Sequence, residues 1–293
     1  MDDRISINGA VDIHLHSYPS LFSPRIGDDR DIAEAAAKAG MGAILLKCHF
    51  ESTVSRAYIV QKDFAEMKVF GGVVLNSYVG GINPGVVEAA LWLGGKEVWM
   101  PSMDSAAHVE VHGSTGNYGI QKVEIRHPEK GISVMQENGK LTPETIEVLE
   151  LIAKYDAILG TSHLSLPEIR LLVSEARSRG VKKILLTHPF FNPPVGAEKL
   201  DFLEEMVSLG VIPEFTYYNI APMAANVTLD KMKELIRKLG AGNCILASDC
   251  GQIYNPMPHE ALRIYAQSLY QKGLPYGDVE KLIKTNPRNI LGL

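Results

Sequence analysis

Three cysteines in 293 residues are too few for a disulfide framework, and Cys48, Cys244 and Cys250 lack the Cys-x-x-Cys spacing of a redox or zinc motif. That scarcity suits a reducing compartment, so a cytoplasmic protein is expected. A basic excess is missing too: 29 Lys and Arg against 34 Asp and Glu leave a net charge of −5, which argues against a nucleic-acid partner. No stretch approaches the ~18 apolar residues of a membrane span, and the opening MDDRISINGAVDIH has neither a basic nor an apolar leader region. No membrane partner is expected. A Gly-x-Gly-x-x-Gly fingerprint is also absent, since Val69-Phe-Gly-Gly and Gly80-Gly81 do not have its spacing.

What is present is apolar material, 46% of the residues, enough for a large core and incompatible with wholesale disorder. It is distributed with a rhythm. Short β-type runs at 10–16, 43–47, 69–76, 97–100, 157–160, 182–187, 211–215 and 244–248 alternate with amphipathic helical stretches. Pro84 sits where a first helical residue tolerates proline, and Ser165–Glu168 has capping-box spacing. Eight such alternations predict an α/β fold, a (β/α)8 barrel occupying residues 1–293 as one domain, better than they predict a doubly wound sheet. The rhythm breaks at about 102–141, read as an insertion after the fourth strand with a small hairpin turning at Asn138-Gly139. Two further helical segments follow the eighth strand.

In a barrel the C-terminal strand ends form the active face. Here the polar chemistry collects there. The first strand ends Asp12-Ile13-His14-Leu15-His16, and strict alternation would turn Asp12, His14 and His16 into the barrel mouth and Val11, Ile13 and Leu15 under the helices. His163 follows the fifth strand, His188 the sixth, Asp249 the eighth, and Lys47-Cys48-His49 closes the second. Each alone has a plainer explanation, such as a hydrogen-bonded loop histidine or a helix-capping aspartate. Their joint placement is another matter, because a packed scaffold gains nothing from imidazoles gathered at several strand tops. Imidazole nitrogens with a carboxylate suit Zn²⁺ or a similar divalent ion.

These positions resemble the metal ligands of the amidohydrolase superfamily: His14-x-His16, His163, His188 and Asp249 stand after strands one, five, six and eight. The tail Thr285-Asn286-Pro287-Arg288-Asn289-Ile290-Leu291-Gly292-Leu293 is similar to the closing helix common there. The resemblance implies a metal-dependent hydrolase in which an activated water attacks a C–N or C–O bond of an amide, cyclic amide, lactone or ester. Asp249 would shuttle the proton and His188 would polarise the substrate oxygen or act as a further ligand. Two-metal members carry a bridging Lys or Glu at the end of strand four, yet this chain reads Val98-Trp99-Met100-Pro101. One ion, held by His14, His16, His163 and Asp249, is therefore favoured; a second bridged by Lys47 or Asp104 stays open.

Lys47 and His49 share a strand face, and a cationic amine there suggests a small, anionic substrate, although Lys47 reaching into water is an equal reading. Asn76, ending strand three, and Glu214, on strand seven, are further candidates for substrate contact. His108 and His112 lack the glutamate of a zinc-protease helix at position 109, and with His127 they read as solvated residues of the insertion or as a lid. A decarboxylase with a similar ligand set, and a non-catalytic metal- or ligand-binding barrel, are the alternatives. By resemblance, a homo-oligomer is open.

Overall fold

A computed structural model describes residues 4–21, 24–117, 128, 130–191 and 200–293. Eight strands, β1 (Val11–Leu15), β2 (Ala43–Leu46), β3 (Lys68–Val74), β4 (Glu97–Trp99), β5 (Ile158–Gly160), β6 (Lys183–Thr187), β7 (Ile212–Thr216) and β8 (Ile245–Ala247), pair in sequence order, each parallel to the next. The ring is completed just past the strand ends, where Asp249 N donates to His14 O at 2.8 Å and His16 N donates to Cys250 O at 2.7 Å. With helices between successive strands, this is the (β/α)8 barrel that the alternation predicts.

Strand residues divide by parity into two buried sets. One packs under the helices and includes Leu15, Ile44, Leu46, Val73, Val98, Leu159, Leu186 and Leu246. The other fills the barrel: Val11, Ile13, Ala43, Leu45, Val74, Trp99, Ile158, Leu185, Ile245 and Ala247, joined by Ile290 and Leu291 of the closing helix Asn286–Leu291. Asn286 fastens that helix by donating from Nδ2 to Ala241 O and Cys244 O, both at 2.7 Å.

β1 departs from the expected alternation. Val11 and Ile13 lie inside the barrel, not under the helices, whereas Leu15 packs outside. The cause is a bulge: Val11 and Asp12 pair with Ala43 and Ile44, but Leu15 pairs with Leu46, one residue too many on β1. The extra residue lets one strand supply apolar filling below and inward-facing His14 and His16 above.

Between β4 and the next barrel helix, a helix at Ala106–His112 begins at Ser105, whose Oγ accepts from His108 N at 3.0 Å. The expected hairpin reduces to an isolated antiparallel bridge between Met135 and Leu141. His127 falls outside the described residues. No helix among those described is long and apolar enough to cross a membrane.

Candidate metal centre

Three strand-end side chains converge. His14, His16 and Asp249 place one ligand atom each within 4.8 Å of one another, and no other group of this kind occurs among the described residues. Nε2 of His14 and Nε2 of His16 each lie 3.2 Å from Asp249 Oδ1. All three side chains are buried or nearly so.

Hydrogen-bond partners fix which nitrogens face Asp249. His16 Nδ1 is 3.0 Å from the Lys47 carbonyl oxygen, which can only accept, so Nδ1 carries the proton and Nε2 presents a lone pair. Burial, outweighing its hydrogen bond to Asp249, pushes the His16 pKa down to about 3, so the ring is neutral. His14 Nδ1 lies 2.6 Å from Glu214 Oε1, leaving Nε2 to face Asp249. Burial and the Lys47 charge oppose protonation of His14, but Asp249 and Glu214 prevail and raise its pKa to about 9. Burial also acts to raise the Asp249 pKa, yet the imidazoles of His14, His16 and His188 hold it well below the usual carboxylate range. The Asp249 carboxylate thus faces two inward nitrogens, Nε2 of the His14 ring with its raised pKa and the bare Nε2 lone pair of His16. Two imidazoles and a carboxylate form a donor set that a zinc-like ion fits, and the Glu214–His14 contact is the carboxylate–histidine support usual behind a metal ligand.

His163 and His188 flank this group. The His188 ring centroid is 5.4 Å from that of His14 and 4.9 Å from that of His163. His108 Nε2 must donate to Asn117 O at 2.8 Å, and burial pushes its pKa to about 3, so its Nδ1 is bare. His163 Nδ1, 2.9 Å away, must then be the donor, which leaves the proton off Nε2 in the neutral ring. Burial holds both His163 and His188 well below the ordinary histidine range. His108 is therefore a buried orienting partner, not the solvated insertion residue that its sequence context suggests, and His112 lines the same cavity.

Backbone strain marks the same strand ends. Ser162, His188 and Asp249 have φ of 48°, 27° and 51°. Positive φ is uncommon away from glycine and costs on the order of 1–3 kcal/mol, and it concentrates where a side chain must be aimed.

The other expected residues divide by depth. His49 stacks on His16 with centroids 5.0 Å apart and pairs through Nδ1 with Ser102 Oγ at 3.0 Å. Lys47 does not extend into water: it is 2% exposed, with Nζ 3.0 Å from His14 Nε2 and 5.3 Å from the Trp99 ring centroid. Burial lowers its pKa against the pull of Asp249, Glu214 and Glu97. Asn76 is wholly buried, donating to His49 O (3.1 Å) and Ser102 Oγ (2.9 Å) and accepting from Ser102 N (2.9 Å). It braces the loops after β2 and β4. Glu214 lies beneath His14, away from the cavity lining. Asp104 accepts from Ser77 N and Oγ at 2.9 and 2.5 Å, outside the three-residue group.

A search of strand ends passes over two residues. Glu97 begins β4; its parity with Trp99 puts it inside the barrel, where Gly160 leaves room: a Cβ there would lie 2.6 Å from Glu97 Oε1 and 2.5 Å from Trp99 Cδ1. Neither Glu97 oxygen has a hydrogen-bond partner, and burial, reinforced by Glu214, raises its pKa well above the carboxylate range. Arg25, in the loop after β1, lines the cavity and carries no spacing signal at all. That cavity holds about 210 Å³ and is bounded by His16, Lys47, His49, His163, His188 and Asp249 together with Arg25, His112, Phe191, Tyr218, Asn226, Gln252 and Tyr254.

A family model described as "Family of unknown function (DUF6282)" matches residues 9–214. No curated protein matches by sequence. Among solved structures, an amidohydrolase from Pseudomonas aeruginosa is 13% identical, with 98% of this chain and 97% of that chain covered and a TM-score of 0.62. The 2,6-dihydroxybenzoate decarboxylase from Rhizobium is 11% identical over 97% of this chain and 99% of its own, with a TM-score of 0.57. A β-aspartyl dipeptidase from Fervidobacterium islandicum is 13% identical over 97% of this chain and 72% of its own, with a TM-score of 0.61. At these identities the likeness is one of fold, a (β/α)8 barrel shared over nearly the whole of this chain.

Proposed function

Because the chain belongs to the DUF6282 family, whose own description assigns no function, its role rests on the site, and we propose a metal-dependent hydrolase that cleaves a C–N or C–O bond of a small, anionic metabolite. The observation that supports this reading is the convergence of His14 Nε2 and His16 Nε2 on one carboxylate oxygen, Asp249 Oδ1, each at 3.2 Å, a two-imidazole, one-carboxylate donor set. A zinc-like ion held there supplies, when bound, polarisation of a substrate carbonyl and a water acidified toward a pKa of about 7.

The chain's own groups supply the rest. Asp249 accepts the proton of the attacking water and returns it to the leaving nitrogen or oxygen. His163, its Nδ1–H committed to His108, offers Nε2 as a further ligand. His188, neutral and beside both His14 and His163, polarises the substrate oxygen. Glu214 keeps His14 in the tautomer that points Nε2 inward. The second reading, a mononuclear decarboxylase, has the support of a decarboxylase among solved structures of the same fold.

Metal analysis of the purified protein, before and after zinc loading, tests the reading. About one equivalent of divalent ion is expected from a single site. The double variant His14→Ala/His16→Ala should lose it while keeping its far-UV circular dichroism. Folded wild-type protein that takes up no ion overturns the proposal. A screen over lactones, cyclic amides, β-keto acids and aromatic acids then separates the chemistries: hydrolysis upholds the main reading, and CO₂ release alone replaces it with the second.

A further inference from the structure

An amine and a metal ion cannot share one nitrogen. Lys47 Nζ lies 3.0 Å from His14 Nε2, the atom that the metal-site reading gives to an ion. An imidazole nitrogen offers a single in-plane position, so whichever of the two groups carries the proton between them, that position is taken. Loading the site therefore requires the amine to withdraw. Lys47 is 2% exposed, and a buried ammonium needs a counter-charge wherever it goes. Its backbone is held in place: Lys47 N donates to Leu15 O at 2.9 Å, and Lys47 O accepts from His16 Nδ1 at 3.0 Å. Only the flexible four-carbon stem has to turn.

Glu97 lies on the same level of the barrel. Leu46 pairs with Gly71 and Glu97 with Gly72, so Lys47, one residue past Leu46, comes level with Glu97 two strands away. Alternation from Ala43 and Leu45 turns Lys47 inward, and alternation from Trp99 does the same for Glu97. The β3 residue between them is Gly72, inward by parity with Val74. It leaves the gap open, since a Cβ there would lie 2.7 Å from Trp99 Cζ3. On the far side, Gly160 makes room for Glu97 Oε1, and Thr187 Oγ1 would lie 3.1 Å from a Cβ at that glycine. Two inward glycines thus hollow the core around one carboxyl group. Among the described residues, neither oxygen of Glu97 has a hydrogen-bond partner, nor do Trp99 Nε1 and Thr187 Oγ1 beside it. Orphaned groups so deep in a core call for a partner. Glu214, the other carboxylate near Lys47, already commits Oε1 to His14. Burial lowers the Lys47 pKa while Asp249, Glu214 and Glu97 resist it; burial and Glu214 raise that of Glu97 while Lys47 resists. Each group therefore feels the charge of the other, and without the amine beside it Glu97 is a neutral acid.

Resting on the metal-site reading above, we propose that Glu97 is a positioning residue that receives the Lys47 amine: when an ion takes His14 Nε2, Lys47 turns from His14 to Glu97 and the two form a buried ion pair. Glu97 gives up its proton in this step, to the amine where that is neutral and otherwise to buffer, so the pair is a carboxylate with an ammonium. The exchange clears the ligand atom and draws a positive charge away from the ion without exposing it to water. Lys47 also borders the cavity, so the competing destination for its amine is upward, away from Glu97.

Infrared difference spectra and zinc competition with a chromophoric chelator test this on wild type, Glu97→Gln, Lys47→Met and the double variant. Metal-free wild type should show the carbonyl band of a protonated, buried carboxyl group that Glu97→Gln lacks, and zinc loading should remove it. Isotopically labelled glutamate assigns the band in wild type even if a variant misfolds. In Lys47→Met the band should survive zinc loading, because no amine arrives. Zinc should bind Lys47→Met about tenfold tighter than wild type and Glu97→Gln about tenfold more weakly, whereas adding Glu97→Gln to Lys47→Met should change nothing, the non-additivity of a coupled pair. A band that persists in zinc-loaded wild type overturns the proposal, as does its absence from the metal-free protein. An equal effect of Glu97→Gln in both backgrounds overturns it too. Zinc uptake by Lys47→Met alone upholds the metal site but overturns the withdrawal of Lys47, which would then block it. No uptake by either protein overturns the metal reading and this proposal with it.

Discussion

Glu214 Oε1 and His14 Nδ1 meet at 2.6 Å with both side chains fully buried, joining β7 to β1 across the barrel interior. The contact fixes which nitrogen of His14 is left for a metal. Glu214→Gln keeps the shape but removes the charge that raises His14 basicity. Zinc affinity, measured by competition with a chromophoric chelator, should fall about 10- to 100-fold, the usual effect of losing such a supporting partner. Unchanged affinity would show that His14 is oriented by other contacts.

Asp249→Asn separates charge from geometry. Asn is among the residues that tolerate positive φ, so the strained backbone at 51° should survive the change. With a substrate identified by the screen, kcat should drop about 10²- to 10⁴-fold, as expected for loss of an acid/base group, with a much smaller change in KM. A variant retaining wild-type kcat would move the proton transfer to another residue.

His108 supplies a pH signature for the metal-free protein. Its folded pKa of about 3 lies below the ordinary histidine value of 6.5, so between those values the unfolded chain binds the extra proton. Its contribution is complete above pH 6.5 and is lost as pH falls through that window, at up to about 1.4 kcal/mol per pH unit. Melting temperature should therefore fall from pH 7 to pH 5, and less steeply in His108→Gln. Parallel wild-type and variant profiles would mean that His108 is not buried in its neutral form.

The barrel was legible because its signals are local. Runs of apolar residues that alternate with amphipathic stretches report strands and helices directly, and every expected strand overlaps an observed one. Capping signals were similarly reliable: Pro84 and the Ser165–Glu168 box open their helices where the spacing predicts. Strict period-two alternation misplaced Val11 and Ile13 on β1, because a bulge is a property of two paired strands and leaves no mark in one of them. His108 was misread for a related reason: a charged, glycine-rich context resembles a surface loop, whereas burial depends on what the loop folds against.

By itself, then, the sequence determined the order of elements and the supply of imidazoles and carboxylates at strand ends, since both follow from short-range periodicity and residue type. Only the tertiary structure decided which of those groups share a point in space. His14, His16 and Asp249 meet because the eighth strand returns to the first, more than 230 residues along the chain. The same closure lays Arg25 beside Gln252 and sets Glu214 beneath His14, contacts between distant segments that no local pattern encodes.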